Sequence, residues 1–201
     1  MMSKGQNFNH PQKGDKTRVE PITELKDIRL IKKTLDDNTR DLCLFTVGIN
    51  TNLRASDLCR ITVGMVKDLK VGDDLVLFER KTGKERRITL NKDCVDSIQR
   101  LIHSLKTSLT GDSQLFRGRQ GDIDTKGVNY LVKKWTRNIN LKGRFGSHTL
   151  RKTFGYHMRV QNKVSIPILM TIFNHNTQKQ TLDYLCVQPD ELKEVYLMGV
   201  G

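Results

Sequence analysis

Five side chains of this sequence have the chemistry needed to break a phosphodiester bond. Tyr184 lies nine residues after His175, and His148 lies three residues before Arg151. Arg54 stands far upstream of both pairs. A tyrosine oxygen can form a covalent phosphoester, and a histidine can bind a phosphate oxygen or move a proton near neutral pH. The set therefore supplies a nucleophile, a proton carrier and fixed positive charge without a metal.

The two arginines are predicted to stabilise the transition state. A phosphodiester repels nucleophiles through its own charge, and its pentacoordinate transition state carries extra charge on the non-bridging oxygens. Catalysis therefore needs fixed positive donors around one phosphate. The guanidinium of Arg54 or Arg151 can grip two oxygens and stays protonated. Taken alone, either arginine is equally well explained as a contact with a polyanion or a surface ion pair, and this is the better interpretation for most other arginines.

The spacing of His148 and Arg151 places both side chains on one face of a helix. Gly146 and Ser147 precede this histidine and suit a helix start, where anions gather. A lone histidine in this position would more simply be a structural helix cap. Its pairing with Arg151 favours a role in chemistry.

Tyr184 is the preferred nucleophile among the four tyrosines. A phenol needs activation or alignment, because an unperturbed pKa of about 10 keeps it protonated at neutral pH. Tyr130 and Tyr156 lie within apolar helical patterns and are expected to be core residues, and Tyr196 lies in an expected terminal helix. None of these three has a histidine partner at a comparable separation.

A predicted β-hairpin carries a cluster of basic residues at its tip. The turn is Lys81-Thr82-Gly83-Lys84, and Arg86 and Arg87 begin the second strand. A flexible amine at such a tip can reach into a nucleic-acid groove and protonate a departing 5′ oxygen. The four basic residues compete for that role, and some of them are expected to contact only the phosphate backbone.

The charge distribution indicates an anionic partner. The 201-residue chain has a formal net charge of +13, and no Asp or Glu occurs from Thr125 to Leu182. A block of one sign creates a field suited to a phosphate backbone, although solvated surface lysines give the same composition. The residues assigned to backbone contacts are Lys84, Arg86, Arg87, Lys133, Lys134, Arg137, Arg144 and Lys152.

Cysteine and histidine spacings argue against a metal centre. The four cysteines show no CxxC pair, and the histidines show no H-E-x-x-H pattern. Three of the cysteines sit in apolar surroundings like small core residues, which favours a reducing compartment and hence a cytoplasmic location. The sequence shows no signal peptide and no apolar run of membrane-spanning length. We expect no metal, no cofactor and no membrane association.

The elements that position these residues are predicted to form a mostly helical α+β fold with one small antiparallel sheet. Residues 1–20 are expected to be a flexible basic tail, and residues 21–201 a single domain. Apolar periodicity predicts helices at about 21–35, 39–49, 92–105, 125–139, 148–161, 165–173, 177–186 and 190–197, and a short helix from Ala55. The hairpin strands are predicted at 75–78 and 86–90, with a short extended piece at 115–116.

Taken in order, these motifs resemble the catalytic domain of the tyrosine recombinase (phage integrase) family. The stretch Thr51-Asn52-Leu53-Arg54 resembles the family's first arginine box, and His148-Thr149-Leu150-Arg151 resembles its His-x-x-Arg box. His175 with Tyr184 resembles the third box and the nucleophile. The resemblance covers nearly all of residues 21–201.

Two positions depart from the family pattern, and one assignment depends on it. Asp57 stands where the family more usually has a glutamate, and Asn174 stands where a glycine usually precedes the histidine. Lys81 is the residue that best resembles the family's hairpin lysine. Most members also carry an N-terminal helical domain, so the chain is expected to be either a minimal recombinase or a piece of a longer integrase.

The resemblance implies a site-specific DNA recombinase or integrase that breaks and rejoins strands through a 3′-phosphotyrosyl ester, without metal or ATP. It implies catalytic roles for Arg54, Lys81, His148, Arg151, His175 and Tyr184, with Asp57 in support. The implied partner is double-stranded DNA at a specific site, bound by a tetramer whose free subunits can be monomers. The implied setting is the nucleoid of a bacterial or phage-infected cell. Two alternatives remain: a type IB topoisomerase-like relaxing enzyme and a catalytically silent DNA-binding module.

Overall fold

The described part of the chain covers most of the expected domain. The computed structural model describes residues 19–78, 83, 85–105, 110–118, 121–185, 193 and 196–198. The expected tail at 1–20 therefore lies almost entirely outside the described residues. The expected terminal helix at 190–197 also lies mostly outside them.

Helices make up most of the described residues, which confirms the predicted fold class. They are α1 (Leu25–Thr34), α2 (Thr39–Asn50), α3 (Ala55–Leu58), α4 (Val63–Val66), α5 (Lys92–Ser104), α6 (Thr125–Asn138), α7 (Ser147–Val160), α8 (Ile166–Phe173) and α9 (Gln178–Leu185). Local capping explains several starts. The side chains of Asn38, Asn91 and Asp124 each accept a hydrogen bond from a backbone N–H in the first turn of α2, α5 and α6.

Two short antiparallel hairpins complete the secondary structure that the described residues show. Strand β1 (Asp74–Phe78) pairs with β2 (Glu85–Thr89), with Leu75 opposite Ile88. Strand β3 (Arg117–Gly118) pairs with β4 (Gly121–Asp122). The first hairpin was expected from its alternating pattern. The second hairpin and α4 were not, because two-residue strands and single-turn helices leave no periodicity to read.

Two predicted elements differ from the structure by more than one residue at an end or in type. The first helix begins at Leu25 instead of 21, because the preceding segment packs against α7. There, the Ile22 N–H donates to Thr153 Oγ1 over 2.9 Å, and the Ile22 carbonyl lies 2.9 Å from His157 Nε2. The piece at 115–116 is a buried bend before β3, and the neighbouring bridge pairs residues 62 and 114.

Helix α2 lies at the centre of the main hydrophobic core. Eight of its twelve residues are buried, and it packs against α5 and α7. Gly48 permits the approach to α7, since a Cβ at this position would lie 2.6 Å from Leu150 Cδ1. Asp41 is buried on the same helix and accepts a hydrogen bond of 3.0 Å from the Trp135 indole. These contacts bring the start of α7 close to the end of α2.

The described thiols belong mainly to this interior. Cys43 and Cys94 are buried and Cys59 is half-buried, all three as free thiols. Burial raises the pKa of Cys43 and of Cys94 to about 12, so both remain protonated and unreactive at neutral pH.

None of the helices in the described part of the chain has the length and apolar character of a membrane span.

A second, smaller core joins the last three described helices. Leu169, Phe173 and Leu185 are fully buried between α7, α8 and α9. Gly155 on α7 faces this cluster at very short range. An added Cβ would lie 2.7 Å from Phe173 Cζ and 2.9 Å from Leu185 Cδ2. The absence of a side chain at Gly155 therefore sets how closely α9 can approach α7.

We predict that Gly155→Ala destabilises the fold. Alanine gains about 1 kcal/mol of helix propensity over glycine, but overpacking a tight core typically costs about 1–3 kcal/mol. The clash with Phe173 should win, leaving a net loss of up to about 2 kcal/mol in the free energy of unfolding, measured by urea denaturation. Gly111→Ala is the matched control, because its nearest neighbour would be 3.7 Å away. Equal stability of the two variants would contradict this packing argument.

Candidate active site

The site forms where the start of α7 meets α9. The Tyr184 hydroxyl lies 2.8 Å from His148 Nδ1 within the same chain. Tyr184 is half-buried, whereas His148 is exposed in the first turn of α7. The expected pairing of a tyrosine with a histidine is present, but the direct partner is His148 and not the sequence neighbour His175.

Arg151 lies beneath the tyrosine and is almost fully buried. Its Nη1 donates to the Asn52 carbonyl over 2.9 Å, and its Nη2 donates to the Phe173 carbonyl over 2.7 Å. The guanidinium carbon sits 4.9 Å from the Phe173 ring centre and 5.7 Å from the Tyr184 ring centre. Burial lowers the pKa of Arg151 to about 10, so this residue keeps its charge at neutral pH.

Asn52 holds the site together, a role that the sequence did not reveal. It is fully buried in the left-handed backbone region, with φ of 53°. Its carbonyl accepts from both Arg151 and Arg86, and its side-chain amide donates to the Ile172 carbonyl over 2.8 Å. Asparagine enters this region more readily than most residues. The sequence suggested only a turn residue here.

Asp57 connects the first arginine box to the hairpin. Its carboxylate accepts the Arg54 backbone N–H over 3.3 Å and lies 3.9 Å from Arg86 Nη1. The first contact fixes the start of α3, where Arg54 precedes the helix. Asp57 therefore contacts residues of both segments, and its supporting role stays a prediction.

Arg54 is exposed and faces two adjoining clefts. One, of about 410 Å³, is also lined by Asn174, His175, Asn176, Gln180 and Tyr184. The other, of about 460 Å³, is lined by residues that include Ser147 and His148 at the start of α7. The Arg54 guanidinium can therefore reach an anion held above Tyr184.

His175 reaches the site through an unusual helix end. Asn174 ends α8 in the left-handed conformation, with φ of 52°. This backbone state explains why an asparagine can replace the glycine that the family usually has there. His175 Nδ1 lies 3.1 Å from Thr181 Oγ1, and the ring centre lies 5.6 Å from that of Tyr184.

Both site histidines are shifted toward the neutral form. Partial loss of hydration lowers the pKa of His148 although its side chain is still exposed, with further lowering by Arg151, Lys152 and Arg54. Burial also lowers the pKa of His175, with smaller effects of Arg151 and Arg54. Since an unperturbed histidine has a pKa of about 6.5, both imidazoles are neutral at physiological pH. A neutral imidazole can accept a proton.

Burial does not distinguish the tyrosines in the way that the sequence suggested. Tyr130 was expected in the core but is 65% exposed, because it lies on the outer face of α6. Tyr156 is half-buried on α7, and Tyr196 is exposed. Tyr184 is set apart by its hydrogen bond to His148.

The expected backbone contacts divide into three groups. Lys84 lies outside the described residues, as does the proposed acid Lys81. Five remain exposed on the surface: Arg87, Lys133, Lys134, Arg137 and Arg144. Lys133, Arg137 and Arg144 also line a groove of about 1000 Å³. These exposed residues are placed where a polyanion can reach them.

Arg86 and Lys152 do not lie on the surface, so the expectation of a backbone contact is corrected for both. The Arg86 side chain is 14% exposed and points inward from β2. Its Nη2 donates to the Asn52 carbonyl over 3.0 Å. Lys152 is buried on α7 with its Nζ 5.4 Å from the Tyr184 ring centre. The sequence did not show that these two side chains turn inward. Adjacent side chains on a strand, like adjacent side chains on a helix, point in different directions.

Among the described residues, no group of three or more His, Cys, Asp or Glu side chains could hold a metal ion.

We predict that Arg86→Met destabilises the fold far more than Arg87→Met. Arg86 makes a charge-assisted hydrogen bond to the Asn52 carbonyl and faces Asp57, and such a bond contributes about 1.5–3 kcal/mol. Arg87 makes an exposed ion pair with Glu85, and such pairs contribute about 0–1 kcal/mol. Urea denaturation of both variants gives the comparison. Similar losses would show that Arg86 does not support the site.

Comparison with known proteins agrees with this geometry. The chain matches the phage integrase family over residues 21–191. It is 32% identical over 186 residues to the probable integrase/recombinase YoeC of Bacillus subtilis (strain 168), covering 91% of this chain and 98% of that protein. It is 30% identical over 158 residues to the tyrosine recombinase XerC of Caldanaerobacter subterraneus subsp. tengcongensis, covering 77% of this chain but 43% of that protein.

Solved structures show the same fold at low sequence identity. The XerA recombinase aligns with a TM-score of 0.72 and 19% identity, covering 90% of this chain and 65% of that chain. The XerH site-specific recombinase, bound to its palindromic difH substrate in a post-cleavage complex, aligns with a TM-score of 0.71 and 14% identity. The alignment covers 54% of the XerH chain and 90% of this chain. The chain thus spans most of YoeC, less than half of that XerC, and about half to two thirds of these two solved chains. It belongs to the phage integrase family, the tyrosine recombinases, which break and rejoin DNA strands.

Proposed function

We propose that this chain is a site-specific DNA recombinase whose nucleophile is Tyr184. The observation that carries the proposal is the hydrogen bond of 2.8 Å between the Tyr184 hydroxyl and His148 Nδ1, directly above the buried Arg151. Attack by the phenol oxygen on a DNA phosphorus forms a 3′-phosphotyrosyl ester and breaks the bond to the 5′ oxygen. The ester conserves the energy of the broken bond, so rejoining needs no ATP.

His148 is the proposed acceptor of the phenol proton. Its ring nitrogen is already within hydrogen-bonding distance of the hydroxyl, and its lowered pKa keeps it neutral at physiological pH. Loss of the proton to His148 Nδ1 leaves a tyrosine oxygen able to attack. The departing 5′ oxygen needs a proton in turn, and Lys81 on the hairpin remains the proposed donor.

Arg54, Arg151 and His175 are proposed to hold the phosphate. Arg151 is fixed by two backbone carbonyls, so its charge is preorganised before DNA arrives. Arg54 is exposed beside the same cleft as His175 and can close on the non-bridging oxygens. Because these residues supply the positive charge that a metal otherwise provides, cleavage is expected to proceed in the presence of EDTA.

The DNA backbone is proposed to lie across the exposed basic surface around this cleft. The residues available for it are Arg87, Lys133, Lys134, Arg137 and Arg144. The groove that three of them line shares Asn129 with the cleft beside His148. The two depressions therefore adjoin, and one strand can pass along both. Such contacts make binding fall steeply as salt rises.

Assembly and setting follow from the same chemistry. Recombination requires four strand cuts, and each chain supplies one nucleophile, so we propose a tetramer on two duplexes in the cytoplasm of a bacterial or phage-infected cell. Tyr184 reaches the His148 and Arg151 of its own chain, which supports cleavage by one subunit without a borrowed tyrosine. No observation favours a topoisomerase-like relaxing enzyme. A catalytically silent DNA-binding module would not need the hydrogen bond between Tyr184 and His148.

We predict that Tyr184→Phe abolishes covalent adduct formation while DNA binding stays almost unchanged. The substitution removes one oxygen, the atom that would bond to phosphorus. The measurement is a denaturing gel of protein incubated with a nicked suicide substrate that carries the cognate site. Tyr130→Phe, an exposed tyrosine of α6, is the matched control and should form the adduct normally. An adduct from Tyr184→Phe would show that another residue is the nucleophile.

We predict that His148→Gln slows cleavage by about 10²–10⁴-fold and removes the acidic limb of its pH profile. The pKa of His148 lies below its ordinary value. The wild-type rate should therefore hold above about pH 6.5 and fall as pH drops through this lowered pKa. Single-turnover cleavage at saturating DNA measures both effects. His175→Gln is the comparison variant and should keep the acidic limb. An unchanged limb in His148→Gln would exclude it as the proton acceptor.

A further inference from the structure

Lys152 is a buried cation that none of the steps above uses. It follows Arg151 directly on α7 and is 7% exposed. Its ammonium nitrogen lies 5.4 Å from the centre of the Tyr184 ring. Its charge therefore lies inside the protein, next to the Tyr184 ring.

We propose that Lys152 activates Tyr184 by stabilising its phenolate form. The inference rests on the proposed role of Tyr184 as the nucleophile. A phenolate spreads its negative charge over the ring, so a cation over the ring face stabilises the phenolate more than the neutral phenol. In this proposal Lys152 acts through its charge and is not a proton donor in the reaction.

Two other cations near Tyr184, Arg54 and Arg151, act in the same direction, and two neutral histidines also face it. His148 and Arg151 face it from α7, Arg54 from the segment before α3, and His175 from the connection between α8 and α9. Asp57 is the carboxylate that acts on Arg151, and it is held by the Arg54 backbone and faces Arg86. The described surroundings of the phenol are therefore mainly cationic. Partial burial of Tyr184 opposes them, since burial disfavours a phenolate.

The expected change in the Tyr184 pKa is large enough to alter the cleavage rate. With an ordinary pKa of about 10, a phenol is ionised in only about one molecule in 300 at pH 7.5. A cation within about 4–6 Å typically lowers an acid's pKa by about 1–3 units. Each unit makes transfer of the phenol proton to His148 about tenfold more favourable. Lys152 can thus change the cleavage rate by one order of magnitude or more without touching DNA.

The chemical step balances without any further reactant. The phenol proton passes to His148 Nδ1, the tyrosine oxygen bonds to phosphorus, and the bond to the 5′ oxygen breaks as that oxygen takes up a proton. Lys152 and Arg151 both lie over the ring of the nucleophile, at 5.4 Å and 5.7 Å from its centre. The Arg151 guanidinium also donates to the Asn52 and Phe173 carbonyls.

A direct test titrates the tyrosines of the free protein by NMR with ¹³Cζ-labelled tyrosine. The Tyr184 signal is assigned by its loss in Tyr184→Phe, and the exposed Tyr130 is an internal reference. We expect Tyr184 to ionise at lower pH than Tyr130 in the wild type, and Lys152→Met to raise the pKa of Tyr184 by about one unit or more without changing Tyr130. A wild-type Tyr184 that ionises at or above the pH of Tyr130 would overturn the proposal, and this reading needs no Lys152 variant to fold.

A kinetic test separates activation from packing. Lys152→Met fills a similar volume without charge, and should cleave suicide DNA about tenfold or more slowly at pH 7, with the deficit shrinking toward pH 10. Lys152→Arg restores the charge and should recover much of the rate. Lys67→Met, at an exposed lysine of another region, is the control for loss of one charge. A purely structural role predicts a deficit that does not depend on pH, and that result would sink the idea.

The two tests also distinguish this inference from the proposed function. If the wild type forms no adduct through Tyr184, the proposed function fails, whatever the titration shows. If the adduct forms but Lys152→Met leaves both the Tyr184 pKa and the pH profile unchanged, only the inference about Lys152 fails.

Discussion

The site depends on one buried cation, Arg151, held by two backbone carbonyls. Removing a guanidinium from water costs several kcal/mol unless its donors are satisfied. One carbonyl belongs to Asn52, after α2, and the other to Phe173, at the end of α8. The two acceptors are 121 residues apart in sequence, so Arg151 is satisfied only when both ends of the domain have folded around it. Catalytic geometry and folding therefore share the same bonds.

Helix α7 makes this arrangement possible because it belongs to both hydrophobic cores. One face packs on α2 and α6, and the other packs on α8 and α9. Gly48 and Gly155 permit close approach on these two sides. The first turn of α7 carries His148, and the next carries Arg151, so small shifts of the helix move the proton acceptor and the buried charge together. Packing on both faces limits such shifts.

The concentration of positive charge gives the site its chemical character. Arg54, Arg151 and Lys152 lie around one half-buried phenol, and they help to keep His148 neutral. A DNA phosphate supplies the negative charge that faces these cations. Because the positive charges are already in place, they stabilise the extra negative charge of the transition state. The same charges weaken the affinity of the imidazole for a proton, so the acceptor stays ready near neutral pH.

The sequence by itself determined the family, the fold class and the order of the reactive residues, because helical periodicity and short motifs are local properties of a chain. The amphipathic patterns of α5 and α6, for example, ended within one residue of the helices in the structure. Tertiary structure alone decided what each charge does. Arg86 and Lys152 look like surface contacts in a basic sequence, yet both turn inward, and Asn52, which looked like a turn residue, carries the bonds that join the two halves of the site. Burial and direction depend on packing between segments far apart in sequence, and no local pattern records them.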